Sequence, residues 1–151
     1  MLDKPLLCAI LAAALPLAAC KSYVKHEQSV YPAPPPGHGA VYFYRAHDDD
    51  GDGVDFTIKE DGRAIGILAD RTYTVHFAKP GRHFYSAATQ GSDNPEREDG
   101  QFINVAEGEN SYLQVLAEAT TFSAKPRTFV AFEQQARPVI ETLTYITPKE
   151  K

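Results

Sequence analysis

The strongest limit on what this chain can fold into is a succession of short alternating runs separated by turn residues. Val54-Asp55-Phe56-Thr57-Ile58-Lys59 puts Val54, Phe56 and Ile58 on one side of an extended backbone, because successive strand side chains point to opposite faces. Asp61-Gly62 follows, a pair that accepts the left-handed conformation of a tight hairpin, and residues 63–68 return as its second strand. Residues 71–77 alternate again with Tyr73, Val75 and Phe77 facing in. Lys79-Pro80-Gly81 then turns the chain so that 82–87 pairs back. Further strands are expected over 40–45, 101–105, 111–119 and 127–132, with an exposed mobile loop over 90–100 and a connection over 120–126. The tail supports two readings. Residues 134–143 can form a short helix with Pro138 in its first turn and Val139, Ile140 and Leu143 on one face. Alternatively the segment continues as an eighth strand through Ile146. Seven or eight short strands at this spacing imply a mainly β chain, an antiparallel β-sandwich with an optional short C-terminal helix.

The first residues follow a different logic. A short start containing Lys4 leads into an apolar stretch of roughly ten residues from Leu6, too short to span a bilayer core of ~30 Å as a helix. Small residues then lead to a cysteine, Leu17-Ala18-Ala19-Cys20. The layout is that of a secretory signal peptide over 1–19. These four residues resemble the lipobox of bacterial lipoproteins, which implies diacylglyceryl transfer to Cys20, cleavage before it and acylation of its new amino group. Cys8 would leave with the signal and Cys20 would carry lipid, so no thiol would remain for a disulfide or a nucleophile. Two or more acyl chains anchor stably where one does not. Lys21 after the cysteine resembles outer-membrane sorting in enteric bacteria.

Residues 20–38 read as the lipidated cysteine and a tether, proline-rich from Tyr31 to Gly37 and expected to favour polyproline II. Residues 39–147 are expected to hold the sandwich. Removing 1–19 takes away one acid and one base, which leaves the formal charge at -5. An acidic surface argues against non-specific nucleic-acid binding.

Gly39-Ala40-Val41-Tyr42-Phe43-Tyr44-Arg45 after a lipobox, then Asp61-Gly62-Arg63-Ala64-Ile65-Gly66, then Pro80-Gly81-Arg82-His83, resembles the lipoprotein family called domain of unknown function 2846. The last two motifs are also similar to the turns of PEGA-type sandwiches of surface-layer proteins. The resemblance covers roughly residues 39–146. It implies the sandwich fold and a lipid anchor, and carries no catalytic residues with it.

Two constellations have metal-binding chemistry. Asp48, Asp50 and Asp52 occupy the first, third and fifth places of an EF-hand loop, with Gly53 at the sixth. Closely spaced carboxylates suit Ca²⁺, which takes about six to eight oxygens. The twelfth place is Lys59 rather than glutamate, so any calcium affinity is expected to be weak, ~10⁻⁴–10⁻³ M. A solvated acidic turn is the plainer expectation. A four-residue loop 78–81 would set His76 opposite His83 on the outward face, two candidate Zn²⁺ or Cu²⁺ ligands without a third. With a two-residue Pro80-Gly81 loop, His76 would instead face Tyr85. Tyr42 and Tyr44 share a strand face, either as core or as an outward binding surface. No Gly-x-Ser-x-Gly elbow and no phosphate loop occur. The expected role is a non-enzymatic envelope lipoprotein, anchored to a lipid membrane through Cys20 and binding an envelope protein or cell-wall component. It needs no cofactor, and nucleic acid is not an expected partner. A calcium-dependent module using 48–53, and an envelope enzyme or inhibitor, are the alternatives.

Overall fold

A computed structural model describes residues 22–149. The chain builds two packed sheets, as the alternation predicts, with ten strands among the described residues rather than seven or eight. The strands are β1 (Tyr23–His26), β2 (Gly39–Arg45), β3 (Phe56–Glu60), β4 (Arg63–Leu68), β5 (Thr72–Ala78), β6 (Gly81–Thr89), β7 (Glu98–Val105), β8 (Asn110–Ala119), β9 (Ala124–Ala131) and β10 (Thr144–Pro148). One helix, α1 (Glu133–Ile140), precedes β10. The larger sheet runs β1-β10-β5-β2-β8-β9 and the smaller β4-β3-β6-β7. The smaller sheet is antiparallel throughout. The larger is mixed, because β10–β5 and β2–β8 are parallel pairs.

The Asp61-Gly62 hairpin forms as expected, with φ of 47° and 82° at the two turn residues. Positive φ at both central residues gives the turn a twist that matches its strands. The expected pairing of 71–77 with 82–87 does not form. β5 joins β2 and β10, whereas β6 joins β3 and β7. Lys79-Pro80 therefore carries the chain from one sheet to the other. A turn signal in the sequence marks reversal of direction, and it does not say whether the strands on either side share a sheet.

Both faces of the larger sheet are covered. Between the sheets, Val41, Phe43, Phe56, Ile58, Leu68, Tyr85, Leu113 and Val115 form the main core. On the opposite face, Tyr42, Tyr44, Tyr73 and Tyr112 pack under Ala136, Ile140 and Leu143. Every residue of β2 is buried. That explains its unbroken apolar run, since a strand buried on both sides has no polar face to alternate with.

The N-terminal segment also joins the fold. β1 pairs with β10 over four residue pairs, and Tyr31 lies 5.9 Å from the ring of Tyr42 and 6.5 Å from that of Tyr73. The domain therefore starts well before residue 39, and most of the expected tether is structural. In the tail the helical reading holds for Glu133–Ile140, and a strand follows only at Thr144–Pro148. Pro138 is the sixth helical residue rather than lying in the first turn, so its missing N–H costs a hydrogen bond, and the helix stops two residues later. Part of the expected loop over 90–100 is strand: β7 starts at Glu98, and Asp99 accepts hydrogen bonds from Thr128 N and Oγ1. The Cys20 assignment and the signal segment lie outside the described residues.

Candidate functional site

The Asp48–Gly53 loop surrounds a cation supplied by the chain itself. Arg45, at the end of β2, is fully buried and projects into the loop. Its guanidinium donates to the carbonyls of Val54 and Gly51, lies 3.6 Å from Asp48 Oδ1 and stacks over Phe56 at 4.7 Å. Asp48 is also committed to the backbone: Oδ1 accepts from Gly51 N at 3.0 Å and Oδ2 from Ala117 N at 3.0 Å. A short 3-10 turn, Asp49–Gly51, results. A Cβ on Gly51 would collide with the guanidinium and with Ala117. Gly53, the expected EF-hand glycine, has φ of 77° and open space around it.

Of the three proposed calcium ligands, Asp48 is the one drawn into this network. Asp48 points its oxygens at two amides and a guanidinium, and Asp50 and Asp52 are exposed. A cation between Asp48 and the Gly51 and Val54 carbonyls would have to displace the buried arginine. Among the described residues, no group of three or more His, Cys, Asp or Glu is placed to hold a metal ion.

The two tyrosines proposed as a binding face are core residues. Tyr42 is 0% exposed and Tyr44 2%. Helix α1 and Tyr31 cover them, an arrangement that strand alternation cannot reveal. Burial holds the phenols of Tyr42 and Tyr44 above their ordinary pKa, with Tyr112 the next contributor at Tyr42. They therefore stay neutral well into alkaline solution.

The histidines do come together, but inside the sandwich. Glu60, at the end of β3, lies between the two sheets. Its Oε2 is 3.2 Å from His76 Nε2 on β5, and its Oε1 is 3.1 Å from His83 Nδ1 on β6. Tyr85 donates its hydroxyl to the same Oε1 at 2.9 Å. Burial, followed by this carboxylate, pushes the Tyr85 phenol upward. The ring of His83 stacks on Tyr85 at 5.8 Å, and its Nε2 meets the Lys79 carbonyl at 2.8 Å. His76 comes from the larger sheet, and Glu60, His83 and Tyr85 from the smaller, so the cluster clasps the sheets at one end.

The expectation that His76 and His83 face outward is therefore wrong. Tyr73, Val75 and Phe77 pack on the helix side, which leaves His76 pointing between the sheets. Sequence reasoning missed Glu60 and Arg45. One signal was available for each: Glu60 continues the apolar register Phe56-Ile58, and Arg45 ends an otherwise apolar strand. A charge in such a register needs a buried partner.

The chain matches no protein-family model, no curated protein and no solved structure.

Proposed function

We propose that this protein is a membrane-anchored lipoprotein of the cell envelope, held at the outer membrane and facing the periplasm. Its β-sandwich binds an envelope protein or cell-wall component and performs no catalysis. Leu17-Ala18-Ala19-Cys20 at the end of an apolar stretch carries this reading. The resemblance to the domain of unknown function 2846 family, residues 39–146, supports it. Among the described residues, two polar clusters help to hold the fold together. Glu60 lies 2.9–3.2 Å from His76, His83 and Tyr85, and Asp48 serves Arg45 and the backbone. Of the three carboxylates in the calcium-dependent reading, Asp48 is held by Arg45 and two backbone amides.

Cells fed an alkyne analogue of palmitate should label the wild-type protein, and it should fractionate with membranes. Cys20→Ser should lose the label and appear in the soluble fraction. A Cys20→Ser protein that stays fully membrane-bound would remove the lipoprotein reading. Crosslinking in intact cells followed by mass spectrometry would then identify the partner.

A further inference from the structure

The sandwich is open along one side, between β4 at the edge of the smaller sheet and the β1–β10 pair of the larger. The opening is a groove of about 450 Å³ lined by Ser22, Ala64, Ile65, Ile67, Pro148 and Lys149 among others. Ile65 and Ile67 are half-buried, so each buries part of its side chain in the core and offers the rest to the groove.

Covalent geometry fixes what can lie near this groove. Lys149 N donates to Ser22 O at 3.1 Å, and the next four residues are zipped onto β10. The rim at Ser22 is therefore fixed in the fold. Cys20 precedes Ser22 by two residues. An extended chain spans about 3.3–3.6 Å per residue, so the two Cα atoms lie within about 7 Å of each other. A diacylglyceryl group on Cys20 would sit at the boundary of the bilayer. The interfacial zone on each side is on the order of 5–8 Å deep. A rim so close to the anchor is held at headgroup level, without a spacer to lift it away. Charge agrees with this placement. Lys149 is exposed on the rim. Lys25 is exposed on the face of β1 that carries Tyr23. Lys21 follows the anchor directly in sequence. Basic groups beside a lipid anchor are attracted by anionic headgroups.

We propose that the face between β4 and the β1–β10 pair is the surface by which the domain rests on the bilayer. Ile65 and Ile67 meet the acyl boundary, and Lys25 and Lys149 meet anionic headgroups. This inference rests on lipidation of Cys20. It makes the binding surface for any envelope partner the opposite side of the sandwich, along β7 and β9. There Phe102, Phe122 and Phe132 are exposed.

The mature lipidated protein keeps no free thiol if Cys20 is acylated, so a single introduced cysteine can carry a spin label. Ala64→Cys and Ile67→Cys place it in the groove, and Phe122→Cys places it in the β8–β9 turn on the far edge. Ala64 is exposed, so its variant does not depend on repacking the core. The proteins are purified with their native acylation and reconstituted in phosphatidylethanolamine–phosphatidylglycerol vesicles. Collision with oxygen, which concentrates in lipid, is compared with collision with a water-soluble nickel chelate. Groove labels should favour oxygen several-fold more than the Phe122→Cys label. Adding Lys25→Glu and Lys149→Glu should reduce that preference when phosphatidylglycerol is present. Equal, water-like values at all three positions would overturn the docking face, as would a deeper label at position 122. Groove labels shielded from both reagents would mean that protein, a second copy of the chain, fills the groove, and would overturn it too. Mass spectrometry of the N-terminal peptide separates the premises. A missing acyl mass defeats the lipoprotein reading, whereas an acylated protein with water-like groove labels defeats only the docking face.

Discussion

Arg45 and Asp48 sit in one small network: the buried guanidinium donates to two carbonyls and lies beside Asp48, which accepts from two backbone amides. Asp48→Ala would leave the guanidinium without its carboxylate and free two backbone donors. Stability in urea should fall by about 2–4 kcal/mol. Asp50→Ala and Asp52→Ala remove exposed carboxylates and should change stability by no more than about 0.5 kcal/mol. Equal effects at Asp48 and Asp50 would show that the network is misread. The acidic run itself was plain in the sequence; its purpose was not. Four acids within five residues look like a cation site, and the occupying cation lay three residues upstream at the end of a strand.

His47 provides a second test at this scale. Its Nδ1 lies 2.8 Å from Asp70 Oδ2, and this hydrogen bond holds the imidazole above its ordinary pKa. A group raised in the folded state contributes stability below its unfolded pKa and loses it as pH rises through the folded value. Proton NMR should therefore show His47 titrating above an ordinary histidine. Asp70→Asn should bring it back down, and the wild-type advantage over that variant should fade above neutral pH. An unchanged titration in Asp70→Asn would rule out this cause.

At the scale of elements, α1 is too short and too poorly suited to stand alone. It has eight residues, includes Pro138, and has Phe132 at its N-cap, whose side chain accepts no hydrogen bond. Isolated helices of that length are unstable in water, so tertiary packing must hold this one. Ala136 and Ile140 are fully buried against the tyrosine cluster. Ile140→Ala should cost about 2–5 kcal/mol through lost burial and the cavity it leaves. It should also weaken the near-ultraviolet circular dichroism of the tyrosines beneath, while the far-ultraviolet strand signal persists. A variant as stable as wild type would mean that the helix is ornamental. The sequence showed the apolar face of this helix at Val139, Ile140 and Leu143. It could not show that Tyr42 and Tyr44 lie under it, since their alternation is the same whether a strand face meets helix or water.

For the whole molecule, the unexpected element is β1. Residues 20–38 have the composition of a spacer, with four prolines in the run from 32 to 36. Even so, Tyr23–His26 closes one edge of the larger sheet, and the backbone of Val30 exchanges hydrogen bonds with Tyr73 Oη. A chain beginning at residue 39 should therefore be markedly less stable than one beginning at residue 21, with a midpoint lower by several degrees in thermal melts. Identical melting would restore the spacer interpretation. Proline content predicts local stiffness, but it says nothing about whether a stiff segment finds a surface to lie on.

What the sequence determined by itself is local: strand alternation, the Asp61-Gly62 hairpin and the sandwich class. Each depends on the geometry of a few neighbouring residues, and side-chain chemistry writes that geometry directly. Tertiary structure decided which strands share a sheet, which faces are covered, and which charges meet. β5 and β6 part across a turn, His76 and His83 meet at Glu60 from different sheets, and Arg45 fills the aspartate loop. The physical reason is that burial and hydrogen-bond satisfaction are set by the whole packed chain. A residue's own neighbours in sequence therefore cannot tell whether its polar atoms will face water or one another.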